Sequence, residues 1–183
     1  MRSYENEPIV VQRDVKAVAI PAGAEINLKL GSVGYITQAL GGSFTVYIDG
    51  NLFRIAGSDA DAIGKTAAKP PEVPPNASEE DIKNIIWQQL KTCYDPEIPV
   101  NIVDLGLVYE CDVTNNQDAT RNVDIKMTLT APGCGMGEVL VQDVREKVQI
   151  IPTVAHANVE LVFDPPWNQT MMSDEARLQT GMM

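Results

Sequence analysis

The sequence of 183 residues contains few of the residue types that build disulfide frameworks and zinc fingers. It has three cysteines and one histidine, and no pair of cysteines is separated by two residues. An odd number of scattered cysteines argues against a disulfide framework, and one histidine with these cysteines does not supply the paired ligands of a zinc finger. The length suits one ordinary domain or two small ones.

The sequence also lacks long apolar runs and a leader-like start. No run approaches the roughly 18–20 apolar residues of a membrane span, and the first residues do not show the charged-then-apolar layout of a secretory signal. Hydrophobic residues make up 44% of the chain and charged residues 21%, which suits a packed core. We therefore expect a globular, cytoplasmic protein with no membrane partner.

Positive charge is scarce in the second part of the chain. Residues 1–69 carry seven basic and seven acidic side chains, whereas residues 70–183 carry seven basic and eighteen acidic, which accounts for the net charge of −11. An acidic surface repels phosphate backbones, so we expect no nucleic-acid partner. The same charge suits basic protein partners or metal cations, and it also favours solubility.

Prolines are concentrated where the charge balance changes. Four of them lie between residues 70 and 75. Each proline fixes φ and removes a backbone donor, so a stiff, extended linker is expected here. The sequence predicts a small β domain at residues 1–67, a Pro-rich linker at 68–77 and a second domain at 78–183.

The first part of the chain is predicted to be all-β. Asp49 and Gly50 between two apolar runs are a strong hairpin signal. Because closure of a sheet removes its exposed edges, so many short strands favour a small barrel-like domain. The predicted strands cover residues 15–20, 25–30, 33–40, 43–48 and 51–55.

The second part alternates helix and strand. Ser78 and Asp81 have the spacing of a helix-capping box, and apolar residues follow at helical spacing. The predicted order is α-β-β-α-β with a short final helix, which gives an α+β chain whose helices lie on one face of a small sheet. After the first helix, the predicted strands are about 102–114, 122–130 and 154–163, and the later helices 136–149 and 173–180. Leu105 and Leu107 are expected on the inner face of the first of these strands, and Phe163 on that of the third.

Cys134 is the cysteine that the pattern singles out. Cys93 continues the apolar stripe of the first helix and Cys111 lies on the apolar face of a strand, so both are interpreted as core residues. Cys134 lies instead in a loop with Pro132 and two flanking glycines, just before a predicted helix. A helix N-terminus lowers the pKa of a thiol, so Cys134 is either a reactive nucleophile, a soft-metal ligand or a buried loop cysteine.

Asp95 and Glu97 flank a proline after the first helix. They could orient a metal, accept a proton or contact a basic partner; alternatively, they are solvated charges in a turn. His156 is interpreted as an exposed strand residue, although it is the one imidazole available to a Cys–His pair. Met171 and Met172 are soft ligands in principle but are expected to pack.

Three segments together resemble a family of small iron–sulfur assembly domains. They are residues 95–109 (DPEIPVNIVDLGLVY), which resemble its acidic signature, residues 130–136 (TAPGCGM), which resemble its cysteine loop, and residues 163–177 (FDPPWNQTMMSDEAR), which resemble its C-terminal tail. The family includes the cytosolic iron–sulfur targeting subunit, the assembly subunit of phenylacetyl-CoA ring hydroxylation and a segment of some cluster-carrier ATPases. The N-terminal β part and the Gly-Cys-Gly-Met-Gly run resemble the SufT subgroup.

This resemblance implies a non-enzymatic maturation factor for iron–sulfur proteins. It carries functional roles onto Asp95, Glu97, Thr130 and Cys134, with Cys134 as a transient ligand of iron or of a labile cluster and Thr130 as a second cofactor-binding residue. The implied partners are client apoproteins and other assembly proteins. One cysteine per chain cannot supply the four thiolates of a conventional cluster, so a homodimer, carboxylates, a small thiol or a client could complete the ligand set.

Two other functions remain open at the level of sequence. The protein could be a client-recognition adaptor that binds no cluster, with Cys134 only shaping its loop. It could also be a thiol-dependent redox or acyl-transfer enzyme, although the sequence shows neither a nearby resolving cysteine nor a nucleophile–base–orienter set.

Overall fold

A computed structural model describes residues 6–95, 98–133 and 135–182. The chain forms two compact units, Met1–Lys69 and Pro70–Met183. Each unit has its own cluster of buried apolar side chains. The chain is therefore α+β, with an antiparallel sheet in the first unit and a smaller sheet with helices in the second.

The first unit is built on one antiparallel sheet of six strands, in the order β1-β4-β5-β6-β2-β3. Asp49 and Gly50, both at positive φ, form the tight turn that joins β5 to β6, as the sequence predicts. A 3-10 segment, Gly57–Ile63, follows the sheet and contributes Ala60, Ala62 and Ile63 to its core. The strands are β1 (Glu7–Val10), β2 (Val15–Ile20), β3 (Glu25–Leu28), β4 (Val33–Leu40), β5 (Ser43–Ile48) and β6 (Asn51–Ile55).

Strand β1 is the element of this unit that the sequence pattern missed. It is four residues long and contains Pro8, which weakens any strand signal. In the structure β1 lies at the edge of the sheet and pairs with β4 alone, and an edge position tolerates a residue without an N–H donor. Closure of the six strands into a barrel stays a prediction.

The second unit contains a three-stranded sheet in the order β7-β8-β9. Strands β7 and β8 are antiparallel, whereas β8 and β9 are parallel and are connected through a helix. That helix, α2, packs against both β9 and α1. The elements are α1 (Glu79–Leu90), β7 (Val108–Asn115), β8 (Arg121–Met127), α2 (Gly137–Gln149), β9 (Val154–Leu161) and α3 (Asp174–Thr180).

Helix α1 begins where the sequence predicts. The Ser78 hydroxyl accepts a hydrogen bond from the Asp81 amide at 3.1 Å, and the Ser78 amide donates to the Asp81 carboxylate at 2.8 Å, which completes the capping box. The pKa of Asp81 is held below its usual range by its hydrogen bonds from the Ser78 amide and hydroxyl. Ile82, Ile86 and Leu90 are fully buried, so this helix presents one apolar face to the core.

The small sheet has one buried and one solvent-facing side. On β8, Val123, Ile125 and Met127 are buried, whereas Asp124 and Lys126 between them are exposed. The buried side belongs to the same core as the apolar residues of α1 and α2. The helices therefore cover the buried side of the sheet.

The predicted strand over residues 102–107 is wrong. The Asn101 carboxamide oxygen accepts hydrogen bonds from the amides of Val103 and Asp104, at 3.0 and 2.9 Å, and this holds the chain in a turn. Gly106 then has a φ of +72°, which a strand does not permit. Leu105 and Leu107 are buried as expected, but they reach the core from this turn and its exit, and β7 begins only at Val108.

The inward placement of Phe163 is also wrong. Strand β9 ends at Leu161, and Phe163 is 47% exposed. Helix α2 buries the carboxylate residue Asp143 together with its apolar residues Val139, Leu140, Val141, Val144 and Val148. Across the described part of the chain, no helix combines the length and the apolar character needed to cross a membrane.

Truncation of a core side chain on α1 tests the packing of the second unit. Ile86 is fully buried, so Ile86→Ala should lower the free energy of unfolding of this unit by about 3 kcal/mol, through lost burial and a residual cavity. Urea unfolding followed by tryptophan fluorescence measures it, because Trp87 and Trp167 both lie in this unit. Leu178→Ala, at a position 65% exposed, is the control and should change stability little. Equal effects of the two substitutions would contradict this packing.

Candidate functional site

Asp95 is a buried carboxylate at the start of the acidic motif. It is 5% exposed. One carboxylate oxygen accepts a hydrogen bond from the amide of Ile98 at 2.9 Å, and the Asp95 amide donates to the carbonyl of Val100 at 3.2 Å. These bonds hold Ile98 and Val100 close to Asp95. Glu97, the second acidic residue of the motif, lies outside the described residues.

Thr130 joins the acidic motif to the cysteine loop. Its hydroxyl donates a hydrogen bond to the second carboxylate oxygen of Asp95 at 3.4 Å. The two residues are 35 positions apart in the sequence, and the fold brings them together because the chain leaves β8 beside the turn that follows α1. Two of the four residues proposed from sequence are therefore in direct contact.

The cysteine loop leads into the N-terminus of α2. Pro132, Gly133 and Gly135 are exposed, and Gly133 has a φ of +78°. Met136, at the N-cap position, makes no side-chain capping bond. Cys134 itself lies outside the described residues, so its predicted role stays a prediction; in the sequence it is three positions before Gly137, the first residue of α2.

The start of α2 is fixed by close packing. Gly137 is buried, and a Cβ atom at this position would lie 2.8 Å from a methyl carbon of Leu129. Because no side chain separates them, the first turn of α2 approaches the segment that leaves β8 closely. The segment between Thr130 and Gly137 is thus anchored at both of its ends, by the Thr130 hydrogen bond and by the packing of Gly137.

The C-terminal tail motif docks on the end of the acidic motif. The indole N–H of Trp167 donates to the carbonyl of Leu105 at 2.7 Å, and the amide of Ser173 donates to the carbonyl of Asp104 at 2.8 Å. The hydroxyl of Tyr109 donates to the carbonyl of Pro165 at 2.8 Å. All three segments that suggested the family are therefore connected by hydrogen bonds.

The other two cysteines are poor candidates for thiolate chemistry. Cys93 is fully buried, and its thiol approaches the carbonyl of Gln89 at 3.8 Å. Burial, with a smaller contribution from the charge of Asp112, raises the pKa of Cys111 to about 11. The Cys111 thiol is therefore protonated at neutral pH. Cys93 belongs to the core and Cys111 is half-buried against it, which agrees with their interpretation as packing residues.

The remaining residues considered from sequence have ordinary environments. His156 is exposed on β9, opposite Asn122 in the register of the sheet. Met172 is 3% exposed and belongs to the core, as expected. The sulfur of Met171 lies 3.6 Å from the Tyr109 hydroxyl. Within residues 6–95, 98–133 and 135–182, no group of three or more His, Cys, Asp or Glu side chains is placed to hold a metal ion.

An ion pair next to this site was missed by the sequence analysis. Lys147 donates to the carboxylate of Asp143 at 3.2 Å and to the carbonyl of Thr92 at 2.7 Å, and both charged side chains are largely buried. The pair connects α2 to the segment between α1 and the acidic motif. The only sequence signal was the Asp–Lys spacing of four residues on one helix, which is common on exposed helices as well.

Comparison with known proteins decides the family. A family model described as an iron–sulfur cluster assembly protein matches residues 83–161. A protein of Porphyromonas gingivalis named Fe-S protein maturation auxiliary factor is 45% identical over 106 residues, which cover 58% of this chain and 93% of that protein. The chain belongs to the iron–sulfur cluster assembly protein family.

Two further relatives of this family member carry related names. The Bacillus subtilis Fe-S protein maturation auxiliary factor YitW is 36% identical over 104 residues, covering 57% of this chain and 98% of that protein. The Staphylococcus aureus Fe-S protein maturation auxiliary factor SufT is 38% identical over 88 residues, covering 48% and 96%. These findings confirm the family resemblance drawn from the three motifs. The family model begins within α1 and ends with β9, so it includes the Asp95–Thr130 contact.

Substitution of Gly106 tests the docking of the tail in this family member. An added Cβ atom would overlap the carbonyl oxygen of Met171, and the positive φ strains any other residue. Gly106→Ala should therefore lower the free energy of unfolding by more than about 2 kcal/mol and shift the Trp167 emission to the red in a Trp87→Phe background. Gly133→Ala is the matched control, because its φ is also positive but no atom lies within 4 Å of the added carbon. Equal losses from both substitutions would contradict the close approach.

The raised pKa of Cys111 makes a second prediction. With a pKa of about 11, only about one thiol in ten thousand is ionised at pH 7, and burial slows access further. In a Cys134→Ser variant, iodoacetamide labelling of Cys111 should be slow at pH 7 and should rise about tenfold per pH unit up to pH 9. Mass spectrometry of the labelled chain measures both rates. Fast labelling at pH 7 that does not depend on pH would exclude the buried thiol.

Proposed function

We propose that the protein is a cytoplasmic, non-enzymatic maturation factor that helps to deliver iron–sulfur clusters to client apoproteins, with Cys134 as a transient ligand of the cargo. The maturation role is supported by membership of the family and by the names of the three relatives. The ligand role rests on the chemistry of this chain's own residues.

The observation that carries the site is the hydrogen bond from Thr130 to Asp95. It brings the acidic motif against the residue that opens the cysteine loop, so both motifs belong to one region. Asp95 accepts from the Ile98 amide as well, and a buried carboxylate engaged in this way orients a loop better than it binds iron. We therefore assign Asp95 and Thr130 as positioning residues, with Glu97 as a further candidate from the same sequence motif.

The thiol chemistry favours Cys134 over the other two cysteines. Iron binds thiolates; Cys93 is fully buried, and burial raises the pKa of Cys111 to about 11, so its thiol is protonated at neutral pH. The residues around Cys134 are exposed, and the uncapped N-terminus of α2 follows. Unpaired helix amides and the positive end of the dipole stabilise a nearby thiolate.

A single cysteine ligand suits transfer rather than storage. A conventional cluster takes four thiolates, so two chains of a homodimer would supply two, and a small thiol or the client would supply the rest. Transfer is then a ligand exchange: a client thiolate replaces the Cys134 thiolate on iron, and the proton released by the client thiol is taken up by Cys134 or the solvent. No electron is gained or lost in this exchange.

We further propose that residues 1–67 and 78–183 are separate domains joined by the Pro-rich segment 68–77. The division of the structure after Lys69 and the separate apolar cores support this organisation. The cargo site then lies wholly in the second domain. The β domain takes no part in that site, and its proposed role is to bind a partner protein.

Anaerobic reconstitution tests the proposal directly. Wild-type protein should take up iron and sulfide with visible absorption, and Cys134→Ser should lose most of both, because its thiolate ligand is gone. Thr130→Val should reduce uptake several-fold without abolishing it, since only the positioning of the loop is weakened. Cys111→Ser is the matched control and should bind as wild type does.

Two outcomes would overturn the proposal. Uptake by Cys134→Ser equal to wild type would remove Cys134 from the ligand set. Absence of iron from every variant, together with full maturation of client enzymes in cells that carry Cys134→Ser, would favour a client-recognition adaptor instead.

A further inference from the structure

The solvent-facing side of the second sheet carries a groove that the cargo site does not use. The groove has a volume of about 770 Å³ and crosses all three strands, with Glu110 from β7, Lys126 from β8 and Glu160 from β9. Neither Asp95 nor Thr130 lines it. Within the described residues, the helices of this unit pack on the other side of the sheet.

Half of the residues that line the groove carry apolar or aromatic side chains. Val108, Val162 and the ring of Tyr109 come from the sheet and its continuation, and Pro165 and Met171 come from the docked tail. The Tyr109 hydroxyl holds the tail in place through the carbonyl of Pro165. The groove is therefore a preformed surface, fixed by hydrogen bonds, of the size that accommodates several side chains of a ligand.

The charged groups of the groove are predominantly acidic. Its lining contains three carboxylates, Glu110, Glu160 and Asp164, and one ammonium group, Lys126. Lys126 pairs with Glu110 at 2.8 Å, and this contact raises the pKa of Lys126. The groove thus has an excess of negative charge at neutral pH, and the acidic second part of the chain adds to it.

We propose that this groove docks a segment of a partner protein in which lysine or arginine side chains flank aliphatic ones. The aliphatic side chains would cover Val108, Val162 and Met171, and the cations would pair with Glu160 and Asp164. That the partner is an iron–sulfur protein rests on the proposed function; the docking itself does not. Nucleic acid and anionic membranes carry the wrong charge for this surface.

A defined peptide tests the docking. The probe is a short capped peptide with two arginines flanking a leucine–valine pair, and the matched peptide has glutamates in place of the arginines. Titration into ¹⁵N-labelled full-length protein should shift the amide resonances of Tyr109, Glu110 and Val162, with a dissociation constant on the order of 1 mM or tighter. The glutamate peptide should cause no such shifts.

Variants of the groove sharpen the test. Glu160→Gln and Asp164→Asn should each weaken binding about two- to fivefold, the size expected for a single exposed ion pair. Lys126→Gln should strengthen binding by a similar factor, since it removes the cation that competes for Glu110. Glu80→Gln makes the same change of charge at an exposed site on α1, outside the groove, and should leave binding unchanged.

The outcomes separate this inference from the proposed function. Cys134→Ser should still bind the peptide, and Glu160→Gln should still take up iron and sulfide. Shifts that are absent at millimolar peptide, or that are unaffected by the groove variants, would overturn the docking site while leaving the cargo site untouched. Binding of spermidine as tight as that of the peptide would assign the groove to small polycations instead.

Discussion

The docking of the C-terminal tail on the second unit depends on the close approach of Gly106 to the carbonyl of Met171. It lets the tail lie directly on the turn after the acidic motif, where Trp167 and Ser173 then complete hydrogen bonds with backbone carbonyls of that turn. The same turn sends Leu105 and Leu107 into the core. One glycine at positive φ thereby connects the hydrophobic core, the acidic motif and the wall of the groove.

The sequence was most informative where local physics decides the structure. The capping box at Ser78 and Asp81 located the start of α1, and alternation of apolar and charged residues located the two sides of β8. It failed over residues 102–107, because alternation of apolar residues there reflects a buried turn held by the Asn101 side chain rather than a strand. It missed β1, because this short strand is stabilised by its pairing with β4 and its own residues give only a weak strand signal.

In the candidate site, too, the sequence identifies residues but not the contacts between them. The acidic motif was enough to propose Asp95, and the family resemblance to propose Thr130. Their contact depends on sheet register and on the path of the chain after β8, which no local pattern encodes. The charged groove was also invisible in the sequence, because its lining comes from three strands and a tail that meet only in the folded chain. The buried environment of Cys93 and the half-buried one of Cys111, in contrast, follow from their positions on apolar faces. The roles of Cys134 and Glu97 stay predictions.

The parallel pairing of β8 with β9 determines where the second unit can tolerate changes of sequence and loop length. Parallel neighbouring strands need a long crossover connection, and here α2 provides it. In the sequence, the cysteine loop therefore lies between the carboxyl end of β8 and the start of the crossover helix. The register of the sheet is set by the pairing of its strands and by the packing of α2, and the exposed residues Pro132, Gly133 and Gly135 belong to neither. The loop between Thr130 and Gly137 can therefore accept new residues or a different length without disturbing the scaffold. The unit thus separates a packed framework from an exposed segment whose residues can change while the fold stays constant.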